Sequence, residues 1–249
     1  RGLGALVGAS GQGKSFVAVE LAGRVASIPE ADALTGRAKP NSFANREVIH
    51  GTVFYLAGED ADGISERAYH WAEANTADLK HLMLFSRVPP LSSLGESISF
   101  ILDAEDSVPD GAPPTRLIII DTFRTSLAGD ENSSGDVSAA MLTASSLARI
   151  TGAAVVLVHH TTKADSKNPR GSTAFKASLD FMAVMEEKSD DWIGFTIDKV
   201  KNGPSGESFG WQLVNGVLKI SSGRAGASMA GIELWSACAG RVIREIATE

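Results

Sequence analysis

Cysteine is almost missing from this chain of 249 residues, in which Cys238 is the only one. A single cysteine excludes an internal disulfide and any cysteine-rich metal site. The sequence also lacks an apolar run approaching the roughly 18 residues that a membrane-spanning helix needs. It shows no charged-then-apolar leader of the secretory kind. From these absences we expect a protein of the reducing cytoplasm that has no membrane partner.

Positive charge is scarce as well, because 23 lysines and arginines face 30 aspartates and glutamates, for a net charge of −7. This balance argues against a broadly basic surface that coats nucleic acid, although it allows a local basic loop or channel. The contents of 43% hydrophobic and 21% charged residues are ordinary for one globular α/β domain. We therefore expect residues 1–249 to form a single domain. Because Arg1 stands almost on the first predicted strand, we also expect native residues to precede it.

Short apolar runs alternate with helical patterns along the first two thirds of the chain, which predicts a mainly parallel sheet covered by helices. The last third has strand-like runs separated by Asn-Gly turn signals, which predict antiparallel pairing. The predicted strands are 3–7, 52–57, 82–85, 117–120 and 153–158, then antiparallel strands at 180–185, 192–200, 209–214 and 217–220. The predicted helices are 14–26, 62–75, 94–103, one ending near 151–152, and 232–246. A polar loop is expected at 28–50, a motif-bearing core at 1–206, and a C-terminal hairpin and helix at 207–249.

The stretch GASGQGKS, residues 8–15, lies between the first predicted strand and the first predicted helix. Its spacing fits G-x-x-x-x-G-K-[ST], the phosphate-binding P-loop or Walker A pattern. Glycines let backbone N–H groups turn towards phosphate oxygens, and the following helix points the positive end of its dipole at them. Lys14 would reach the β- and γ-phosphates, and the hydroxyl of Ser15 would bind Mg²⁺. The predicted nucleotide-binding residues are Gly8, Ser10, Gly11, Gln12, Gly13, Lys14, Ser15 and Phe16.

Polar side chains follow three predicted strands at the point where each strand ends, which is where open α/β sheets bind ligands. Asp121 is placed to stand behind Mg²⁺, although it could instead cap a helix. Glu59 is a candidate general base that activates water, unless it is an ordinary surface carboxylate. His160 is a candidate sensor of the γ-phosphate. A metal site shared with His159 is disfavoured, because adjacent strand residues point to opposite faces.

Two basic stretches are candidate contacts with another subunit or with nucleic acid. The stretch KADSKNPRGS, residues 163–172, either forms a solvated turn or carries Arg170 to a neighbour's phosphate and Lys163 and Lys167 to a nucleic-acid backbone. Near a predicted strand end, Lys199 and Lys201 share one face because alternate strand residues do. Both lysines could also be ordinary exposed residues.

Taken in order, GASGQGKS, VFYLAGED, LIIIDTFR, GDENSSGD, VVLVHHTTK and PRGS resemble the RecA-like hexameric helicases, above all the plasmid RepA-type replicative helicases and their phage and prophage relatives. The resemblance spans residues 1–206. It implies a RecA-like ATPase core that uses ATP and Mg²⁺. By this resemblance Glu59 is the catalytic glutamate, Asp121 the metal-side aspartate, His160 the γ-phosphate sensor and Arg170 the arginine finger that reaches a neighbouring subunit.

The stretch KVKNGP, residues 199–204, is similar to the finger strand of DnaB-type helicases, with one departure. Those proteins have arginine where this chain has Lys201, and lysine lacks the planar fork of a guanidinium group. The identity of the main trans-acting residue, Arg170 or Lys201, therefore stays open.

The resemblance implies an ATP-driven replicative-type helicase that forms a homo-hexameric ring on single-stranded DNA, with a fused or partner primase or replication protein as a further possibility. One rival is a RecA- or RadA-like recombination or repair ATPase that forms filaments on DNA. A second rival is a nucleotide-dependent switch or scaffold with little turnover. Glu59 argues against this second rival, because a pure switch has no need to activate water.

Overall fold

The computed structural model describes residues 2–29, 41–44, 46–161, 173–189 and 192–220. The strands within these ranges are β1 (Gly2–Gly8), β2 (Ser42–Phe43), β3 (Arg46–Glu47), β4 (Thr52–Ala57), β5 (Leu82–Phe85), β6 (Thr115–Asp121), β7 (Ala154–His160), β8 (Phe181–Ser189), β9 (Trp192–Val200), β10 (Ser208–Val214) and β11 (Val217–Ile220). The helices are α1 (Lys14–Ala26), α2 (Ala61–Asn75), α3 (Leu94–Glu105), α4 (Phe123–Ser126), α5 (Ser134–Thr151) and α6 (Thr173–Ser178).

Nine of these strands form one sheet in the order β11-β10-β9-β8-β1-β7-β6-β4-β5. The block from β8 to β5 is parallel, and β8 to β11 form an antiparallel meander at the other end. The predicted α/β class, with a mainly parallel sheet and antiparallel strands towards the C-terminus, is confirmed. The carboxyl ends of β1, β4, β6 and β7 lie at one edge of the sheet, and this arrangement builds the site described below.

The prediction for the strand near 180–185 was wrong in one respect, because it treated this strand as antiparallel only. β8 does pair antiparallel with β9, but its first half also pairs parallel with β1, with Gly4 opposite Phe181. The physical reason is the connection: β7 leads through α6 into β8, and a crossover by way of a helix returns the chain in the same direction.

Both faces of the sheet are covered, so the central strands are apolar throughout. Every residue of β4 is buried. On one face α1 and α2 pack over residues such as Val53, Tyr55 and Ile119. On the other face α3 and α5 pack over residues such as Phe54 and Ile118. Alternate residues of one strand therefore serve two separate cores, which explains why the sequence shows apolar runs here instead of alternation.

Outside the main sheet, the segment predicted as a polar loop at 28–50 contains a short antiparallel ribbon of β2 and β3. The sequence did not indicate the four-residue helix α4, which is too short to show a helical period. The helix predicted at 232–246 lies outside the described residues. Among the described residues, no helix is both long and apolar enough to cross a membrane.

Candidate nucleotide site

The P-loop connects β1 to α1 and uses glycine where no other residue fits. Gly11 and Gly13 have φ angles of 84° and 77°, a left-handed backbone conformation that residues with a side chain rarely adopt. Gly13 is also the N-cap of α1, and a Cβ atom there would overlap Ile193 of β9. Gly8 lies 2.9 Å, measured from an ideal Cβ position, from the Cβ of Met185 in β8. The loop is thus packed against the antiparallel strands while its backbone faces the cavity.

Lys14 begins α1 and is nearly buried. Its ammonium group donates to the carbonyl oxygens of Gly8, at 3.0 Å, and Ala9, at 2.7 Å. It also lies 3.3 Å from Nδ1 of His160. Burial lowers the pKa of Lys14 to about 8, and the charges of Asp121 and Glu59 oppose that shift. The group is therefore a partly desolvated cation at the mouth of the loop, which strengthens its interaction with an anion.

Asp121 ends β6 and is buried beneath the P-loop. Its Oδ2 atom accepts hydrogen bonds from the Ser15 hydroxyl, at 3.1 Å, and from the Tyr55 hydroxyl, at 2.7 Å. Burial raises the pKa of Asp121 above its ordinary value, while these two hydrogen bonds act in the opposite direction. Burial, with the charge of Asp121 and the hydrogen bond to it, also raises the pKa of Tyr55 well above its ordinary value.

Glu59 follows β4, and Thr122 holds its carboxylate. The Thr122 hydroxyl donates to Oε1 of Glu59 at 2.9 Å, and both residues line the same cavity as Lys14 and Asp121. A carboxylate held by one oxygen keeps its other oxygen available to accept a proton. This geometry suits the predicted general-base role, which stays a prediction.

The two histidines of β7 point to opposite faces, as the strand period requires. His160 lines the cavity beside Lys14. His159 is buried on the other face, between the rings of Phe123, at 5.1 Å, and Phe175, at 4.8 Å. The pair is therefore not arranged to hold one metal ion, in agreement with the sequence argument.

These side chains surround a cavity of about 240 Å³ at the carboxyl ends of the strands. Its wall contains six of the eight residues predicted to bind nucleotide, three in the loop and three at the start of α1. The predicted site residues that line it are Ser10, Gly11, Gly13, Lys14, Ser15, Phe16, Glu59, Asp121 and His160. Gln12 is not in the wall, and its side chain instead accepts a hydrogen bond from the Ala9 N–H at 2.6 Å, which closes the loop on itself.

Arg67 is a site residue that the sequence did not indicate. It projects from α2 into the cavity wall, lies 5.1 Å over the ring of Phe16 and forms an ion pair with Asp60 at 3.2 Å. No local motif marks an arginine two turns into a helix. Tyr55 and Thr122 were also missed, although a hydroxyl inside the apolar run VFYLA and a hydroxyl directly after Asp121 were available signals.

The predicted contacts outside the cavity have separate surroundings. Lys199 donates to the carbonyl oxygens of Lys176, at 2.6 Å, and Ala177, at 3.0 Å, near the end of α6. Lys201 forms an ion pair with Asp180 at 3.2 Å. Arg170, Lys163 and Lys167 lie outside the described residues, so their predicted roles stay predictions.

The residues present fit a magnesium ion. Mg²⁺ prefers oxygen ligands and usually combines one or two carboxylates with water and substrate phosphates. The Ser15 hydroxyl and the Asp121 carboxylate supply such oxygens in one place. Among the described residues, no cluster of three or more histidine, cysteine, aspartate or glutamate side chains could hold a metal by itself. When bound, Mg²⁺ would neutralise charge on the phosphates, and phosphate oxygens and water would complete its ligand shell.

Comparison with protein families agrees with this geometry. A family model described as an AAA domain matches residues 1–166, about two thirds of the chain, and includes the P-loop, Glu59, Asp121 and His160. The match and the α/β fold support nucleotide binding and hydrolysis. This chain belongs to the AAA-domain family of P-loop ATPases.

Proposed function

We propose that this chain is an ATP-hydrolysing motor that moves along single-stranded DNA and unwinds duplex as a ring-shaped, hexameric helicase. The observation that supports ATP hydrolysis is the arrangement of side chains in the cavity. There Lys14, Glu59 and Asp121 converge from three different elements, and Thr122 holds Glu59 in place. A protein that only bound nucleotide would not need a second, separately oriented carboxylate.

In this proposal each residue has one role in the attack of water on the γ-phosphate. Backbone N–H groups of the P-loop and the ammonium of Lys14 bind the phosphates and stabilise the charge that grows on them. Glu59 orients the attacking water and accepts its proton. Ser15 and Asp121 would hold Mg²⁺. His160, beside Lys14, would respond to loss of the γ-phosphate.

The proposed movement along DNA is supported by the two segments that follow site residues in the chain. Asp121 is followed by Thr122, α4 and the loop before α5. His160 is followed by Thr161, whose N–H donates to the carbonyl oxygen of Gly8 in the P-loop at 3.1 Å. Both segments therefore begin on residues that line or support the site. We propose that residues 125–134 and 161–172 contact DNA in a central channel, and that Arg170 completes the ATP site of the next subunit.

The test is steady-state ATP hydrolysis with and without single-stranded DNA. We expect DNA to stimulate hydrolysis, and we expect the stimulation to weaken with salt because phosphate contacts dominate such binding. Lys14→Ala should abolish hydrolysis. Glu59→Gln should lower turnover by about 10²–10⁴-fold, the usual contribution of a general base. The matched control is Glu66→Gln, an exposed glutamate of α2.

The outcomes separate the rivals. Hydrolysis that ignores DNA, or that survives Glu59→Gln unchanged, would contradict the motor and favour the nucleotide-dependent switch. DNA-stimulated hydrolysis in a protein that electron microscopy shows as continuous filaments would favour the recombination or repair ATPase. Closed six-membered rings on DNA, with strand displacement on a forked duplex, would support the helicase.

A further inference from the structure

Tyr55 places a polar group where the fold would be expected to use a purely apolar one. It lies in the middle of β4, is fully buried, and belongs to the core that packs under α1 and α2. Its strand neighbours on the same face are Val53 and Ala57. A buried hydroxyl in such surroundings destabilises the fold unless it is hydrogen-bonded.

The Tyr55 hydroxyl is directed at the Asp121 carboxylate. Parallel pairing of β4 with β6 places Ala57 opposite Asp121 and Tyr55 opposite Ile119, so the phenol lies one pleat behind the aspartate on the same face. Its hydroxyl donates to Oδ2 at 2.7 Å. Ser15 donates to the same oxygen at 3.1 Å. Two donors on Oδ2 fix the rotation of the carboxylate and thereby the direction of Oδ1.

We propose that Tyr55 is a positioning residue that holds the Asp121 carboxylate in the orientation needed to bind Mg²⁺ with nucleotide. The inference rests on the proposed nucleotide-hydrolysing function, and it adds a residue that does not itself touch substrate. Groups that orient a metal-binding side chain commonly change metal affinity by roughly 10–100-fold when they are removed.

The competing explanation is that the tyrosine ring only fills the core. In that case phenylalanine would serve equally well, because it keeps the ring and removes only the hydroxyl. Tyr55→Phe therefore separates the two explanations. The chain contains only two tyrosines, and the second provides a matched control. Tyr69 is exposed on α2, and its hydroxyl bonds to Glu73 of the same helix at 2.8 Å.

The experiment measures binding of a fluorescent ADP analogue while Mg²⁺ is titrated. For Tyr55→Phe we expect the Mg²⁺ concentration at half-maximal effect to rise roughly tenfold. Binding of the analogue in EDTA should not change, because the P-loop contacts are intact. Tyr69→Phe should match the wild type in both conditions. In an Asp121→Asn background, adding Tyr55→Phe should have no further effect, since the hydrogen bond acts through that carboxylate.

Each outcome decides the proposal. A Tyr55→Phe protein with wild-type Mg²⁺ dependence, or with the same loss in the Asp121→Asn background, overturns the positioning role and leaves the proposed function standing. A wild-type protein that binds no nucleotide, with or without Mg²⁺, overturns the proposed function and this inference with it.

A second measurement covers the case in which Tyr55→Phe does not fold. In Tyr69→Phe protein labelled with ¹³Cζ-tyrosine, Tyr55 gives a single NMR resonance. With ADP bound, addition of Mg²⁺ should shift this resonance, and the shift should vanish in Asp121→Asn. A resonance that does not respond to Mg²⁺ would overturn the proposal.

Discussion

Lys14 needs a positive charge to bind phosphate, yet its burial disfavours that charge. Only 6% of the surface of Lys14 is exposed, and its ammonium group contacts two backbone carbonyl oxygens and an imidazole nitrogen. These contacts replace only part of the water that burial removes, so the pKa of Lys14 falls to about 8 from its ordinary value of 10.5. The buried ammonium group of Lys14 is suited to bind phosphate, but in its protonated form it lowers the stability of the folded protein relative to the neutral form.

This leads to a prediction about stability and pH. Between about pH 8 and pH 10 the unfolded chain holds the Lys14 proton more tightly than the folded protein, so the free energy of unfolding should rise with pH. The expected gain is about 2 kcal/mol over this range. Chemical denaturation of wild type and Lys14→Met at each pH measures it, because other titrating groups cancel in the difference between the two proteins. A difference that stays constant from pH 8 to pH 10 would contradict the assigned burial of the ammonium group.

The site residues that could be predicted from the sequence are those whose chemistry requires them at fixed positions in a local motif. Lys14 and Ser15 stand at set positions in the P-loop, and Asp121 ends an apolar strand. Arg67 reaches the same cavity through helix packing, and Tyr55 reaches the Asp121 carboxylate behind that cavity through strand register. The hydroxyl of Tyr55 inside an apolar run was a signal in the sequence, but the partners of Tyr55 and Arg67 depend on how distant segments meet, and a single sequence carries no pattern for those contacts.

At the scale of elements, the junction of β9 with α6 gives two lysines different surroundings. Lys199 is partly buried and bonds to two carbonyl oxygens near the C-terminal end of α6, where a positive charge is favourable. Burial is the main cause that lowers its pKa. Lys201, just after β9, forms an ion pair with Asp180 in which both side chains are largely exposed. The two lysines looked equivalent in the sequence.

We predict that only the first of these lysines contributes to stability. Lys199→Met should lower the free energy of unfolding by about 1–2 kcal/mol, because it removes charged hydrogen bonds to two backbone carbonyl oxygens, one of them partly buried. Lys201→Met should change it by about 0.5 kcal/mol or less, as is usual for an exposed ion pair. Chemical denaturation of the two variants under identical conditions provides the comparison. Equal losses in both would contradict the distinct surroundings described for them.

The elements themselves were largely predictable because buried parallel strands must be apolar on both faces. The runs at β4, β6 and β7 therefore stood out, and glycine and proline marked the turns around them. The parallel edge of β8 was not predictable, because pairing direction depends on the path of the chain through α6. Nothing in the sequence around Phe181 indicates that it pairs with Gly4, which lies far away in sequence.

At the scale of the whole molecule, the nucleotide site depends on strands beyond the matched family region. The AAA-domain match ends at residue 166, yet Gly8 and Gly13 pack against Met185 of β8 and Ile193 of β9. The P-loop is therefore supported from both halves of the described chain. The net charge of −7 is compatible with the proposal that DNA contacts are confined to a few channel-lining groups and are not spread over the surface.

The most direct test of the proposed motor function is the rate of ATP hydrolysis as a function of single-stranded DNA length, at a fixed total concentration of DNA nucleotides. A protein that moves along DNA spends more of its time hydrolysing ATP on a longer strand before it dissociates from the end. We therefore predict a stimulated rate that rises with length to a plateau, and only background hydrolysis in Lys14→Ala at every length. A rate that is the same on short and long strands, or that DNA does not change, would contradict ATP-driven movement on DNA.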